Sequence, residues 1–323
     1  MTDKIRVIAI VGPTASGKTA LGAEIAEEFS GEVVSADSMQ IYKGMDIATA
    51  KPTKEEMRGI PHHLIGFLDR NVSFSVADYV ELAGSVIGDI SERKKLPVIV
   101  GGTGLYVSSL LDNIKFADIK SDAGLRKKLE DEAERLGNSY LFEKLEKVDP
   151  ESAAELHPNN LVRVIRALEV YELTGKKLSL FKAESRLEES PYDPVMIGLD
   201  YNDRQILYDR INKRVDIMVK NGLVEEAQSI FDSCNMKTAG NAIGYKELIP
   251  YFKKEKSLEE CISKIKQETR RYAKRQLTWF RKNAKINWLK LDEFDNKEKI
   301  FLFCKNLIEK VVQFTSIFDF LMI

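Results

Sequence analysis

Gly12-Pro-Thr-Ala-Ser-Gly17-Lys18-Thr19 stands between an apolar, β-branched run at Arg6–Val11 and a helical pattern at Lys18–Phe29. It matches G-x-x-x-x-G-K-[ST] at every position. Glycines in such a turn let the backbone wrap a phosphate, so that several N–H groups and the helix N-terminus point at it. A di- or triphosphate is therefore expected at Gly12, Pro13, Thr14, Ala15, Ser16, Gly17, Lys18 and Thr19. Lys18 would reach the outer phosphate and the Thr19 hydroxyl would hold Mg²⁺.

The strand–helix alternation continues. Glu32–Ala36 and Leu96–Val100 read as further strands, Val76–Arg93 and Tyr106–Leu111 as further helices. The expected fold class is α/β: a P-loop NTPase-like parallel sheet flanked by helices, with ligands at the carboxyl ends of the strands. From about residue 120 the sequence turns charged and helical, notably at Asp122–Leu136 and Asn160–Thr174. Pro191 and Pro194 then punctuate a loop before the strand-like Val195–Leu199. The domain reading is a core of 1–117 and 191–323 around a helical insertion domain, 118–190. Helical patterns at Asp203–Asn221, Leu223–Cys234 and Leu258–Asn283 complete the core.

The net charge of −1 means that any nucleic-acid contact must come from local clustering. Cys234, Cys261 and Cys304 are widely spaced, which argues against disulfides or structural zinc and fits a reducing cytoplasm. No stretch approaches the roughly 20 apolar residues of a membrane span. The closing FTSIFDFLMI reads as a packed terminal helix or frayed tail.

Two more strand ends carry candidates. Leu96–Val100 runs into Gly101-Gly102-Thr103-Gly104 with no carboxylate, whereas nucleotide-hydrolysing relatives of the loop end such a strand in an acid. These glycines can admit a ligand or simply make a tight strand-to-helix turn. Asp37, past the second strand, can take a proton from an attacking nucleophile or merely cap the next turn. On these residues alone a small-molecule kinase is equally served.

The chain resembles the tRNA dimethylallyltransferases, also called isopentenyl-tRNA transferases. The resemblance rests on GPTASGKT (12–19), SADSMQIYKGMDIATAKP (35–52), PHHLI (61–65), VGGTGLY (100–106), HPNNLVRVIRALEVYELTGK (157–176), AIGYKEL (242–248) and KRQLTWFR (274–281). It implies dimethylallyl diphosphate in the glycine loop and the anticodon stem-loop of tRNA as acceptor. Asp37 would engage N6 of the flipped adenine 3′ of the anticodon, and Asp37, Ser38, Met39, Gln40 and Thr103 would contact the tRNA. Arg214 would reach the diphosphate, which with Lys18, Thr19 and Asp37 makes the expected catalytic set. Further tRNA contacts are implied at Arg126 and along Val162, Arg163, Val164, Ile165 and Arg166. Val162 stands where Gln or Arg is usual, and Asn241 where some relatives carry Arg. A monomer is expected.

Without the resemblance, Arg210 and Arg214 at i and i+4 read as a solvated salt-bridge face with Asp209 and Asp216. Residues 264–285 hold nine Lys or Arg against the single acid Glu268. That basic face reads as RNA-binding, while Tyr272, Trp279 and Phe280 read as core, the alternative being that they stack bases. His62, His63 and His157 lack a base-and-nucleophile context and are assigned no catalytic role. The competing functions are a kinase acting through Asp37, which would consume ATP, and a non-catalytic RNA-binding protein, which would not turn over a diphosphate donor.

Overall fold

A computed structural model of the chain describes residues 4–114, 119, 121–185, 189–233, 240 and 242–321, with 312–321 by backbone alone. Its elements begin with β1 (Ile5–Val11), α1 (Lys18–Glu28), β2 (Glu32–Ser35), β3 (His62–His63), α2 (Val76–Glu92), β4 (Pro97–Gly101) and α3 (Gly104–Leu111). Then come α4 (Ala123–Leu136), α5 (Asn138–Val148), α6 (Pro150–Ala154), α7 (Leu161–Thr174) and α8 (Leu178–Glu184). The chain closes with β5 (Tyr192–Asp200), α9 (Arg204–Lys220), α10 (Leu223–Ser233), α11 (Ile249–Phe252), α12 (Leu258–Phe280), β6 (Ile286–Lys290) and α13 (Lys297–Leu321). It divides into two compact units, Met1–Leu111 with Pro191–Ile323, and Asp112–Ser190.

The first unit is built on a six-stranded parallel sheet in the order β3-β2-β4-β1-β5-β6. Side chains alternate across a strand, and β1 shows the consequence. Val7, Ala9 and Val11 pack on one face with α2 and α3, while Ile8 and Ile10 pack on the other with Leu21 and Ile25 of α1 and Cys304 and Ile308 of α13. Both faces are covered, so the strands read as continuous apolar runs rather than alternating ones. Each such aliphatic side chain contributes about 1.5–3 kcal/mol on burial. Serines start two of the helices: Ser75 for α2 and Ser257 for α12 each close a capping box, with Asp78 and Glu260 respectively.

Several sequence expectations are corrected here. Pro194 lies inside β5 rather than in a loop; β6 pairs with β5 only from Met196, so the flank opposite β1 is unpaired at the proline. The short strands β3 and β6 carry too few residues to show a period. α12 ends at Phe280, not at Asn283. α13 extends well upstream of the apolar tail, and among the described residues no helix is long and apolar enough to cross a membrane. Cys234 and Asn241 lie outside the described residues.

The second unit is helical, around Leu129, Leu141, Leu145, Val164 and Leu168. It buries two carboxylates completely, Asp149 and Glu169, and the second, on α7, collects the arginines. Arg126 donates to both its oxygens at 2.8 and 3.0 Å, Arg166 to one at 2.6 Å, and the Asp122 N–H to the other at 2.9 Å. Burial by itself would raise the Glu169 pKa, and the arginine hydrogen bonds overcome it, so the group lies below its ordinary 4.5. The stabilisation is therefore present above that ordinary value and is lost as pH falls through the lowered one. Glu169→Gln should cost about 1–3 kcal/mol by leaving donors unpaired, measured by urea unfolding at neutral pH, and the gap to wild type should narrow in acid.

Candidate active site

Four strand ends meet at one edge of the sheet: β1 runs into Gly12, β2 into Asp37, β4 into Gly102 and Thr103, and β5 ends at Asp200. Ala36 N–H donates to the Val100 carbonyl at 2.8 Å and Thr103 N–H to that of Ala36 at 3.1 Å, which ties two exits together. A cleft of about 1350 Å³ opens here, reached by the glycine loop, Asp37–Gln40, Arg210, Arg214 and Tyr272.

The loop has the backbone such a cradle needs. Gly12 has φ 142°, and a Cβ there would fall 2.6 Å from the Leu199 carbonyl oxygen. Ala15, not a glycine, also has positive φ (64°), a strained conformation of the kind held at ligand sites. Arg210 Nε holds it by donating to the Ala15 carbonyl at 2.9 Å. Ser16 Oγ and Lys18 Nζ both donate to the Pro13 carbonyl, at 2.8 and 2.6 Å. Among the described residues the N–H groups of Ser16, Gly17, Lys18 and Thr19 have no protein acceptor. These are the orphan donors of a helix start, and they carry its partial positive charge.

Side chains reinforce that polarity. Burial, and then the neighbouring Arg214, push the Lys18 ammonium down to about 7, against the opposing pull of Asp37. Burial likewise lowers Arg214, with Arg210 adding repulsion and Glu56 and Asp37 opposing it. Two desolvated cations beside unanswered amides make a seat for a multiply charged anion. Lys18, Thr19 and Arg214 are thus brought to one cleft, and the alternative of a solvated salt-bridge face for Arg210 and Arg214 is set aside. Asp216 instead pairs with Lys266 at 2.6 Å.

Asp37 caps its own turn through one oxygen, Oδ1, which accepts from Met39 and Gln40 N–H at 2.9 and 3.3 Å. Its second oxygen has no donor among the described residues. Thr103 Oγ1 accepts from Ser38 N–H at 3.0 Å, so Thr103 joins the same turn. The neighbouring glycines leave room for close-packed protein: an added Cβ on Gly101 would lie 2.2 Å from Ala36 O, on Gly102 2.1 Å from Gln276 Nε2, and on Gly104 2.3 Å from Trp279, while the backbone of Gly101 and Gly102 also lines the cleft. Asp200, the acid at the end of β5, is occupied by Arg281 and Lys290, both at 2.7 Å.

The segment after Asp37 runs to β3 without a strand, and side chains hold it. Gln40 Nε2 donates to the Thr49 and Ala50 carbonyls, each at 3.1 Å. Glu226 on α10 collects the N–H groups of Asp46, Ile47 and Ala48 at 2.8–3.1 Å and the Tyr245 hydroxyl at 2.7 Å. This joins the 35–52 motif to the 242–248 motif.

The insertion residues fare differently. Val164 and Ile165, expected at tRNA, are packed in the core of the second unit at 0% and 5% exposure, so their side chains face away from any ligand. Arg126 and Arg166 are engaged with Glu169, which gives them a structural task that the expectation did not include. Arg163 and Val162 are exposed, the valine 82%. On α12, Lys264 and Arg271 pair with Glu268, Arg270 bonds Asn212 and Arg281 pairs with Asp200. Lys274, Arg275, Lys282 and Lys285 have no carboxylate partner among the described residues. Phe280 is core, but Tyr272 lines the cleft and Trp279 lies half-exposed over Gly104, its Nε1 donating to Ser108 Oγ at 3.1 Å.

His63 Nε2 bonds the buried Glu32 at 2.7 Å, and His62 Nδ1 lies 2.8 Å from the Ile60 carbonyl. The residue that sequence reasoning missed is Gln276, which is buried and accepts the Thr14 N–H at 2.8 Å. The available signal was a polar side chain on the apolar face of α12, beside Ala273, Leu277 and Phe280.

A family model described as IPP transferase matches residues 40–283. The tRNA dimethylallyltransferase of Caldanaerobacter subterraneus subsp. tengcongensis is 53% identical over 299 residues, 92% of this chain and 95% of that protein. The full-length tRNA isopentenylpyrophosphate transferase of Bacillus halodurans superposes with TM-score 0.72 at 46% identity, covering 97% of this chain and 100% of the other. A eukaryotic dimethylallyltransferase acting on tRNA superposes with TM-score 0.79 at 30% identity, covering 95% and 80%.

The lowered Lys18 makes a prediction about anion binding. Above about 7 the free ammonium loses its proton, whereas a bound anion restores it toward its ordinary 10.5. Diphosphate binding should therefore take up a proton between these values, and affinity should fall by up to about tenfold per pH unit as pH rises. Calorimetry in buffers of different ionisation enthalpy reads the uptake. Subtracting the Lys18→Met profile removes the ligand's own titration, and parallel profiles would refute the assignment.

Proposed function

The chain belongs to the IPP transferase family, and on that premise we propose that it transfers a dimethylallyl group from dimethylallyl diphosphate to N6 of the adenosine 3′ of the tRNA anticodon. The observation that carries this reading is the pairing of an anion seat with a carboxylate whose second oxygen is uncommitted, in one cleft. The relatives, tRNA dimethylallyl- and isopentenylpyrophosphate transferases, supply the donor and the acceptor class.

In this reading the N6 nitrogen attacks the allylic carbon, the carbon–oxygen bond to diphosphate breaks, and Asp37 takes the N6 proton. Negative charge grows on the leaving diphosphate, where Lys18, Arg214 and the loop amides are already placed to stabilise it. The base leaves its stack to reach the cleft, at a cost of a few kcal/mol that is least in a loop. Arg163 and the uncommitted basic residues of α12 attract the tRNA backbone. Buried Cys261 and Cys304 suit work in the cytoplasm, and the reading needs only a monomer.

Mg²⁺ belongs in this proposal. Among the described residues no cluster of His, Cys, Asp and Glu could hold a metal alone. The Thr19 hydroxyl with substrate phosphate oxygens suits an ion that keeps several waters and leans on its substrate. When bound, Mg²⁺ adds further charge stabilisation on the diphosphate.

Transfer of radiolabelled dimethylallyl into unmodified tRNA tests the reading. Label is expected in the anticodon-loop adenine, reduced about 10²–10⁴-fold in Asp37→Ala. Absence of label, with phosphate moved from ATP to a small acceptor, would replace the proposal with a kinase.

A further inference from the structure

Gln276 has a buried side chain that bridges two strand ends. Its Oε1 accepts the Thr14 N–H of the glycine loop at 2.8 Å, and its Nε2 donates to the Gly102 carbonyl at 3.0 Å. The partners fix the orientation of the carboxamide, since only the oxygen can accept and only the nitrogen can donate. Gly102 is followed by Thr103, whose N–H donates to the Ala36 carbonyl at 3.1 Å. Thr103 in turn receives Ser38 N–H, beside Asp37. The Gln276 bridge, the Gly102–Thr103 peptide and the Thr103 contacts therefore link the glycine loop to the turn that carries Asp37.

The site is built around this contact. A Cβ on Gly102 would lie 2.1 Å from Gln276 Nε2, so the glycine makes room for the carboxamide. The Thr14 amide is also withdrawn from the loop's free donors, leaving the anion to the N–H groups nearer α1.

We infer that Gln276 is a positioning residue: it sets the spacing between the donor's diphosphate seat and the acceptor-side turn at Asp37. The inference rests on the proposed assignment of donor and acceptor to those two places. A residue with this task acts on alignment of the reacting atoms, where a displacement of about 1 Å can cost 10²-fold in rate. Substrate binding through Lys18, Arg214 and the basic surface is left in place.

The test is steady-state transfer of labelled dimethylallyl to unmodified tRNA by wild type, Gln276→Met, Gln276→Ala, Gly102→Ala and the double variant Gly102→Ala/Gln276→Ala. Gln276→Met keeps length and apolar contact while removing both hydrogen bonds. Its kcat should fall about 10–100-fold, with the KM for each substrate within about threefold of wild type. Gly102→Ala should resemble Gln276→Ala, and the double variant should be no worse than the poorer single one, because both act through the same bridge. Wild-type kcat in Gln276→Met, a change confined to KM, or losses that multiply in the double variant would each overturn the inference. Wild-type protein that transfers no label at all would remove the proposed function itself, and the inference with it.

Discussion

The backbone N–H groups at the start of α1 cannot be satisfied within the helix, and four strand ends deliver to that edge the groups that answer or exploit them. Thr14 is answered by Gln276. Ser16, Gly17, Lys18 and Thr19 are not answered by protein. Around them Lys18 and Arg214 are held where burial penalises their charge, and neither Asp37 nor Glu56 compensates fully. The arrangement is unfavourable without an anion and favourable with one, which is the energetic signature of a binding site rather than of a stabilising ion pair.

The cleft wall that carries Asp37 depends on different hydrogen bonds. A long connection without regular structure leaves backbone groups that must still find partners. Glu226 supplies them for Asp46, Ile47 and Ala48, and Gln40 for Thr49 and Ala50. The first part of the connection is thereby held, and Asp37 has its Oδ1 fixed by its own turn and its other oxygen without a donor among the described residues. A polar group held on a loop keeps its position only with this kind of support.

In the second unit, charge serves the fold before it serves any ligand. Glu169 is fully buried and consumes donors from Arg126 and Arg166, two arginines that a linear reading assigns to nucleic acid. The same holds on α12, where Glu268, Asn212 and Asp200 engage part of the basic run. With a net charge of −1, nucleic-acid attraction has to come from local clusters, and on α12 and just beyond it Lys274, Arg275, Lys282 and Lys285 have no carboxylate partner among the described residues.

The glycine loop, the parallel α/β order and the placement of Asp37 after the second strand were legible in the sequence. Each is a local pattern, and a parallel sheet sends all its strand ends to one edge. Lys18, Thr19 and Asp37 could be assigned to one site on that rule alone. Pro194 within β5, the short strands β3 and β6, and the burial of Val164 and Ile165 against the face expected to meet tRNA were not legible. They depend on which neighbours cover a given flank. The bridge from Thr14 to Gln276 spans 262 residues, and the glycines at 101, 102 and 104 make room for Ala36, Gln276 and Trp279. No spacing rule reaches that far: hydrogen-bond partners and steric gaps between distant segments exist only once the sheet and α12 are packed, so the tertiary structure alone decided them.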